Sequence, residues 1–186
     1  MQLMGRATSK QIAKRTLSVG SLRKKLEALK REGLIEGSTS RPRLTSKGRK
    51  RIKVVFTGGS FEIIHPGHLY HVAQAKRLGD VLVVVLARGS TIRKRKGREP
   101  VSKEQERREL MSSLRQVDAA LLGGKGSIYD MMEKVGPDIV ALGYDQYHSE
   151  KDILKEAKKR GMKLKVVRLK AKDHDAKTSK ILAEFI

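Results

Sequence analysis

Thr57-Gly-Gly-Ser-Phe-Glu-Ile-Ile-His65-Pro-Gly-His68 follows a short apolar run, Lys53–Thr57, and leads straight into an amphipathic segment, His68–Leu78. Gly58 and Gly59 carry no Cβ, so the backbone can approach a bound phosphate. Pro66 restricts the chain just before the helix. His65 and His68 stand three apart around a helix start, so both imidazoles can turn toward one anion. The helix N-terminus adds unpaired N–H groups and a partial positive charge. Two N–H donors with that dipole suit a phosphorus whose oxygens redistribute charge during displacement. A His pair spaced this way across Pro-Gly, with no Cys and no obvious third ligand, argues against zinc. Gly58-Gly59-Ser60 lacks the later glycine of a dinucleotide-binding fingerprint.

Outward from this element, apolar runs alternate with amphipathic helices, the mark of an α/β fold with a doubly wound parallel sheet. Strands are expected at Lys53–Thr57, Val81–Ala87, Ala119–Leu122, Asp138–Leu142 and Lys163–Leu169. Helices are expected at His68–Leu78, Lys103–Leu114, Ile128–Val135, Glu150–Arg160 and Ser179–Phe185. Ser102 with Gln105 has capping-box spacing, and Ser149 with Asp152 is a weaker version. Ligands of such sheets bind beyond the strands' carboxyl ends, where strand order reverses. On that side Arg88, Arg93, Lys94, Arg95, Lys96 and Arg98 read as a basic loop, a run that is more often a solvated face than a site.

The 186 residues include 42 Lys+Arg against 20 Asp+Glu, a formal charge of +22. Either a polyanionic partner or a Lys/Arg-rich, heat-adapted composition accounts for that excess. No Cys is present, which excludes disulfides, thiolate ligands and a Cys nucleophile. The longest apolar run, Val81–Ala87, has strand length and falls far short of the roughly 18 residues of a membrane helix. With no charged-then-apolar leader, a cytoplasmic protein without membrane contact is expected.

Residues 1–53 hold 16 Lys/Arg and 3 acids. Ser9–Arg15 reads as a short helix with Ser9 as N-cap. A second helix begins near Ser18, with Val19, Leu22, Leu26 and Leu29 on one stripe and Gly33 as its stop. Ser38–Lys50 is turn-rich and basic. That order resembles a winged helix-turn-helix, short of its usual first helix, over residues 1–50. The resemblance implies DNA contacts from Arg31, Arg41, Arg43 and Lys47. The alternative is a module that packs on the rest of the chain or mediates dimerisation.

"GGSFEIIHPGH" resembles the signature of the cytidylyltransferase-like nucleotidyltransferases, the HxGH superfamily, and the likeness extends through most of residues 52–186. Lys96–Asp118 and Pro137–His148 look most like archaeal-type FAD synthetases. The resemblance implies transfer of AMP from ATP to FMN, with divalent Mg²⁺ held mostly by phosphate and water. CTP and a small phosphoalcohol are the rival substrates. It gives His65 and His68 the α-phosphate, Lys96 a catalytic cation and Arg88 a phosphate contact. Thr57, Gly58, Gly59 and Phe61 line the nucleotide pocket, with Gly143 and Asp145 near the nucleoside. Lys177-Thr178-Ser179-Lys180 resembles the family's Ser/Thr-rich helix start, whose hydroxyls meet the outer phosphates. Lys177 there replaces a Ser, and Lys172 stands where cytidylyltransferases often place Arg, which weakens the cytidylyl reading. A homodimer is implied by resemblance alone.

His71 reads as a packed or surface side chain, Tyr147 and His148 as loop surface or acceptor border, and His174 as a phosphate neighbour. Met111, Met131 and Met132 read as core. A nucleotidyltransferase domain over residues 51–186 is the expectation. A DNA-binding regulator that senses a nucleotide or flavin is the rival of another class.

Overall fold

The computed structural model describes residues 19–170 and 178–183. The chain divides into two compact units, Met1–Ile52 and Lys53–Ile186. In the first, α1 (Val19–Arg31) is followed by an antiparallel hairpin, β1 (Ile35–Ser38) and β2 (Arg41–Leu44), and by α2 (Ser46–Lys50). The expected helix at Ser9–Arg15 lies outside the described residues.

The apolar stripe of α1 is narrower than its spacing suggests. Leu22 and Leu26 are buried, whereas Val19 is 77% and Leu29 37% exposed. Gly33 adopts φ +68° after the helix, as a left-handed stop requires. The basic stretch read as turn contains α2, which no apolar residue announces. Thr45 caps it, accepting from the Gly48 N–H at 3.0 Å. A Cβ on Gly48 would lie 1.9 Å from the Leu34 carbonyl oxygen, so this helix can rest there only with glycine at that place.

The second unit runs β3 (Val54–Gly59), α3 (Pro66–Lys76), β4 (Val81–Leu86), α4 (Gly89–Lys96), α5 (Glu104–Ser113), β5 (Ala119–Leu122), α6 (Ile128–Val135), β6 (Ile139–Leu142), α7 (Glu150–Lys159), β7 (Lys165–Arg168) and α8 (Thr178–Ala183). Its five strands are all parallel in the order β5-β4-β3-β6-β7. Val55, Leu82 and Val84 pack with Val72 and Ala75 of α3 and Met111 of α5. Val54, Phe56 and Val83 point to the opposite face and are equally buried. With both faces covered the strands read as continuous apolar runs. At their amino ends the carboxylates of Asp80, Asp138 and Asp118 accept from the N–H groups of Lys53, Val54 and Leu82 at 2.7 Å each.

Three local expectations are corrected. The first strand does not end at Thr57: Gly58 and Gly59 continue β3, paired with Val85 and Leu86. The basic run after β4 is not a loop either. It is α4, entered at Arg88 and closed by Gly97 at φ +66°. Ser102 does not cap α5. Its hydroxyl donates to the Glu62 carbonyl at 3.2 Å, and Glu106 accepts from the Lys103 N–H at 3.0 Å instead. Ser149 does cap α7, accepting from the Asp152 N–H.

Candidate active site

Strand order reverses at β3, whose neighbours β4 and β6 send their chains to opposite sides, and a cleft of about 790 Å³ opens at the carboxyl ends. Phe61 turns the chain out of β3 at φ +47°, and its buried ring packs edge-on to His68, centroids 5.0 Å apart. A Cβ on Gly59 would fall 2.8 Å from that ring. Glycine there makes room for Phe61, a stricter demand than the phosphate approach inferred from sequence.

His65 is the N-cap residue of α3, Pro66 opens the helix, and His68 follows in the first turn. The two imidazoles lie with centroids 3.8 Å apart, tilted by 31°. Both Nδ1 atoms are buried without a hydrogen-bond partner. Burial pushes His68 down to about 4, reinforced by the neighbouring His65 and His71 rings. Burial lowers His65 as well, against the pull of Asp145. Both rings are therefore largely uncharged at neutral pH, and on His68 a backbone hydrogen bond at Ile63 works against the effect of burial. An arriving polyanion would raise both pKa values and draw protons onto the pair.

Thr57, expected in the nucleotide pocket, is fully buried and does structural work. Its hydroxyl donates to the Ala141 carbonyl at 2.8 Å and lies 2.8 Å from His71 Nε2. With its single proton spent, the hydroxyl accepts from His71, which fixes the Nε2–H tautomer. Burial pushes His71 down to about 4. Between pH 6.5 and about 4 the unfolded chain takes up a proton here that the native chain refuses, so stability falls with pH across that window. Melting at constant ionic strength should show Tm decreasing from pH 7 to pH 5. His71→Gln, which keeps a donor toward Thr57, should flatten that slope, and an unchanged slope would remove His71 from the acid response.

Gly58, Gly59, Phe61, His65 and His68 line the cleft, as do Arg88, Lys96, Gly143, Asp145 and Thr178. Ser179 belongs to α8, but its side chain is outside the described residues, as are Lys172, His174 and Lys177. Arg88 is held in place by the Gly123 carbonyl at 2.6 Å and by Glu104 at 2.8 Å. Lys96 is paired with Glu62. Asp145 is the one acidic side chain among the described lining residues.

Sequence reasoning missed four residues that build this site. The Glu62 carboxylate is fully buried beneath Lys96 and Arg98. Arg107, 1% exposed, donates to the carbonyls of Ser60 at 2.6 Å and Ser102 at 3.2 Å. Gln146 donates to the Gly58 carbonyl at 2.6 Å, tying the loop after β6 to the end of β3. Arg168 fastens the same loop, donating to the carbonyls of Gly143, Gln146 and His148 while pairing with Glu150. At the rim, the Arg95 guanidinium of α4 sits 4.0 Å over the Tyr147 ring, which in turn stacks on His148 at 4.0 Å.

A family model described as cytidylyltransferase-like matches residues 56–184. The FAD synthase of Aciduliprofundum boonei is 50% identical over 116 residues, covering 62% of this chain and 77% of that protein. The FAD synthase of Thermococcus onnurineus is 40% identical over 146 residues, covering 77% of this chain and 97% of that protein. Among solved structures, a lipopolysaccharide core biosynthesis protein from Thermoplasma volcanium superimposes with a TM-score of 0.63 at 40% identity, over 66% of this chain and 99% of that one. The matched family and these relatives make the chain a nucleotidyltransferase. This chain belongs to the cytidylyltransferase-like family. Among the described residues no helix is long and apolar enough to cross a membrane.

Proposed function

We propose that the chain transfers AMP from ATP to FMN, giving FAD and pyrophosphate. The observation that carries this reading is the imidazole pair at the N-terminus of α3, within a unit 40–50% identical to FAD synthases. A phosphate oxygen of FMN attacks the α-phosphorus of ATP in line, the bond from that phosphorus to the bridging oxygen breaks, and pyrophosphate departs with the electron pair. His65 and His68 donate to the α-phosphate oxygens as charge gathers there, and the helix dipole acts in the same direction. Arg88 and Lys96 face the outer phosphates, and Thr178 stands where the chain returns to the cleft. With Asp145 the lone acid on the described lining, a divalent cation such as Mg²⁺ would be held mainly by phosphate oxygens and water, and would offset the charge of the departing pyrophosphate. Incubation with Mg²⁺ and FMN plus ATP should yield FAD. Formation of a CDP-alcohol from CTP and glycerol phosphate, with no FAD, would move the substrate assignment to cytidylylation.

We propose a separate role for residues 1–50, a winged-helix-like module that contacts DNA. Arg31, Arg41, Arg43 and Lys47 are all exposed. Lys47 also donates to the Glu32 carbonyl at 2.8 Å, and Arg43 lies 3.8 Å from Glu36, so Arg31 and Arg41 are the stronger candidates for phosphate. Duplex DNA binding should weaken steeply with added salt, and Arg31→Ala with Arg41→Ala should reduce that slope by about 2. Absence of binding at low salt, with a concentration-dependent dimer, would leave dimerisation as the module's role.

A further inference from the structure

Glu62 has more positive charge around it than its own charge requires. Its side chain is 0% exposed and accepts from Lys96, from Arg98 at 2.8 Å and from the Val101 N–H at 3.2 Å. A second guanidinium nitrogen of Arg98 lies 3.3 Å from the other carboxylate oxygen, so Arg98 reaches both oxygens. Burial alone would raise the Glu62 pKa, but these donors outweigh it and hold the group below the usual carboxylate range. Arg98 by itself neutralises one carboxylate with a planar fork suited to the purpose. Lys96 is thus the surplus cation of the cluster.

The two cations also differ in what they can reach. Lys96 lines the cleft, 3.4 Å from the Ser60 hydroxyl, whereas Arg98 is absent from the described lining. An ammonium on a four-carbon stem can change partners by bond rotation alone, while a fork seated on two oxygens is the better permanent partner.

We propose that Glu62 is a positioning residue that keeps Lys96 beside the phosphate site, and that Arg98 is what allows Lys96 to leave. When a triphosphate enters, the Lys96 ammonium swings from the carboxylate to a phosphate oxygen. Arg98 and the Val101 N–H stay behind, so the buried carboxylate is never left uncompensated. Without Arg98 the same movement would strand a buried charge, and Lys96 would remain on Glu62. This rests on the cleft holding a nucleoside triphosphate, and it is independent of which base or acceptor is used.

The test is calorimetric binding of inorganic tripolyphosphate, at a salt concentration that screens the exposed basic surface. Lys96→Met serves as the reference for loss of the cation. The parent should bind about tenfold more tightly than Lys96→Met. Arg98→Met should bind as weakly as Lys96→Met, because Lys96 stays on the carboxylate. Adding Glu62→Gln to Arg98→Met should restore binding to about the parent level, since a neutral amide does not hold the ammonium. A purely structural role for Arg98 predicts the opposite, a double variant no better than the single one. A parent no tighter than Lys96→Met, an unaffected Arg98→Met, or no recovery in the double variant each overturns the proposal. If circular dichroism shows Arg98→Met unfolded, the parent itself supplies the answer by nitrogen NMR of its side chains. Tripolyphosphate should then shift the Lys96 Nζ signal and leave the Arg98 Nη signals, held on Glu62, unmoved, and an unmoved Lys96 signal counts against the exchange. Failure to form FAD would leave these outcomes intact, because neither ATP nor FMN takes part.

Discussion

Replacing His68 with alanine should lower kcat about a hundredfold or more, the scale of losing one donor to a transition-state oxygen. Stability should hardly suffer. The His68 imidazole is uncharged at neutral pH and its Nδ1 is buried without a partner, so removing it deletes an unsatisfied polar atom along with some ring packing and one backbone hydrogen bond at Ile63. Because the ring resists protonation in the native state, its loss should also make the protein less acid-sensitive between pH 6.5 and about 4. Steady-state rates of FAD formation and thermal melts at pH 7 and pH 5 measure both effects. A kcat within threefold of the parent would take His68 out of the mechanism.

Arg107→Met is the complementary case, a large stability effect from a side chain outside the described cleft lining. Methionine fills much of the stem's volume but gives nothing to the carbonyls of Ser60 and Ser102. It also removes a buried cation whose neighbours include Glu62 and Glu104. Losing the charged partner in such a cluster costs about 3 kcal/mol or more. For a chain of this size that is a Tm decrease of roughly 6–12 °C. Differential scanning calorimetry reads it directly, and a shift under roughly 2 °C would show that the carbonyls find other donors.

Much of the second unit was legible because parallel strands buried on both faces appear as unbroken apolar runs. Val81–Leu86 could be nothing else. The His65–His68 element was legible because glycine, proline and histidine each have few reasons to stand together. The helix α4 was not, since Ile92 is its one buried side chain and a single apolar residue among cations has no period. Glu62 and Arg107 were missed for a related reason. Charged residues in polar stretches read as surface, and only the fold brings Lys96 and Arg98, more than thirty positions away, onto Glu62. Thr57 was misread in the other direction: its place in the motif suggested a ligand contact, while its hydroxyl serves Ala141 and His71. Gln146 and Arg168 gave no signal at all, because apart from the Glu150 carboxylate on Arg168 their partners are backbone groups, which no sequence pattern marks.

The guanidinium of Arg95 resting on the Tyr147 ring links two banks of the cleft, α4 and the loop after β6. Tyr147 is 65% exposed, and a contact of that kind in water is worth only about 0.5–1 kcal/mol, close to thermal energy. Such a contact parts by side-chain rotation alone, which in exposed residues takes picoseconds to nanoseconds.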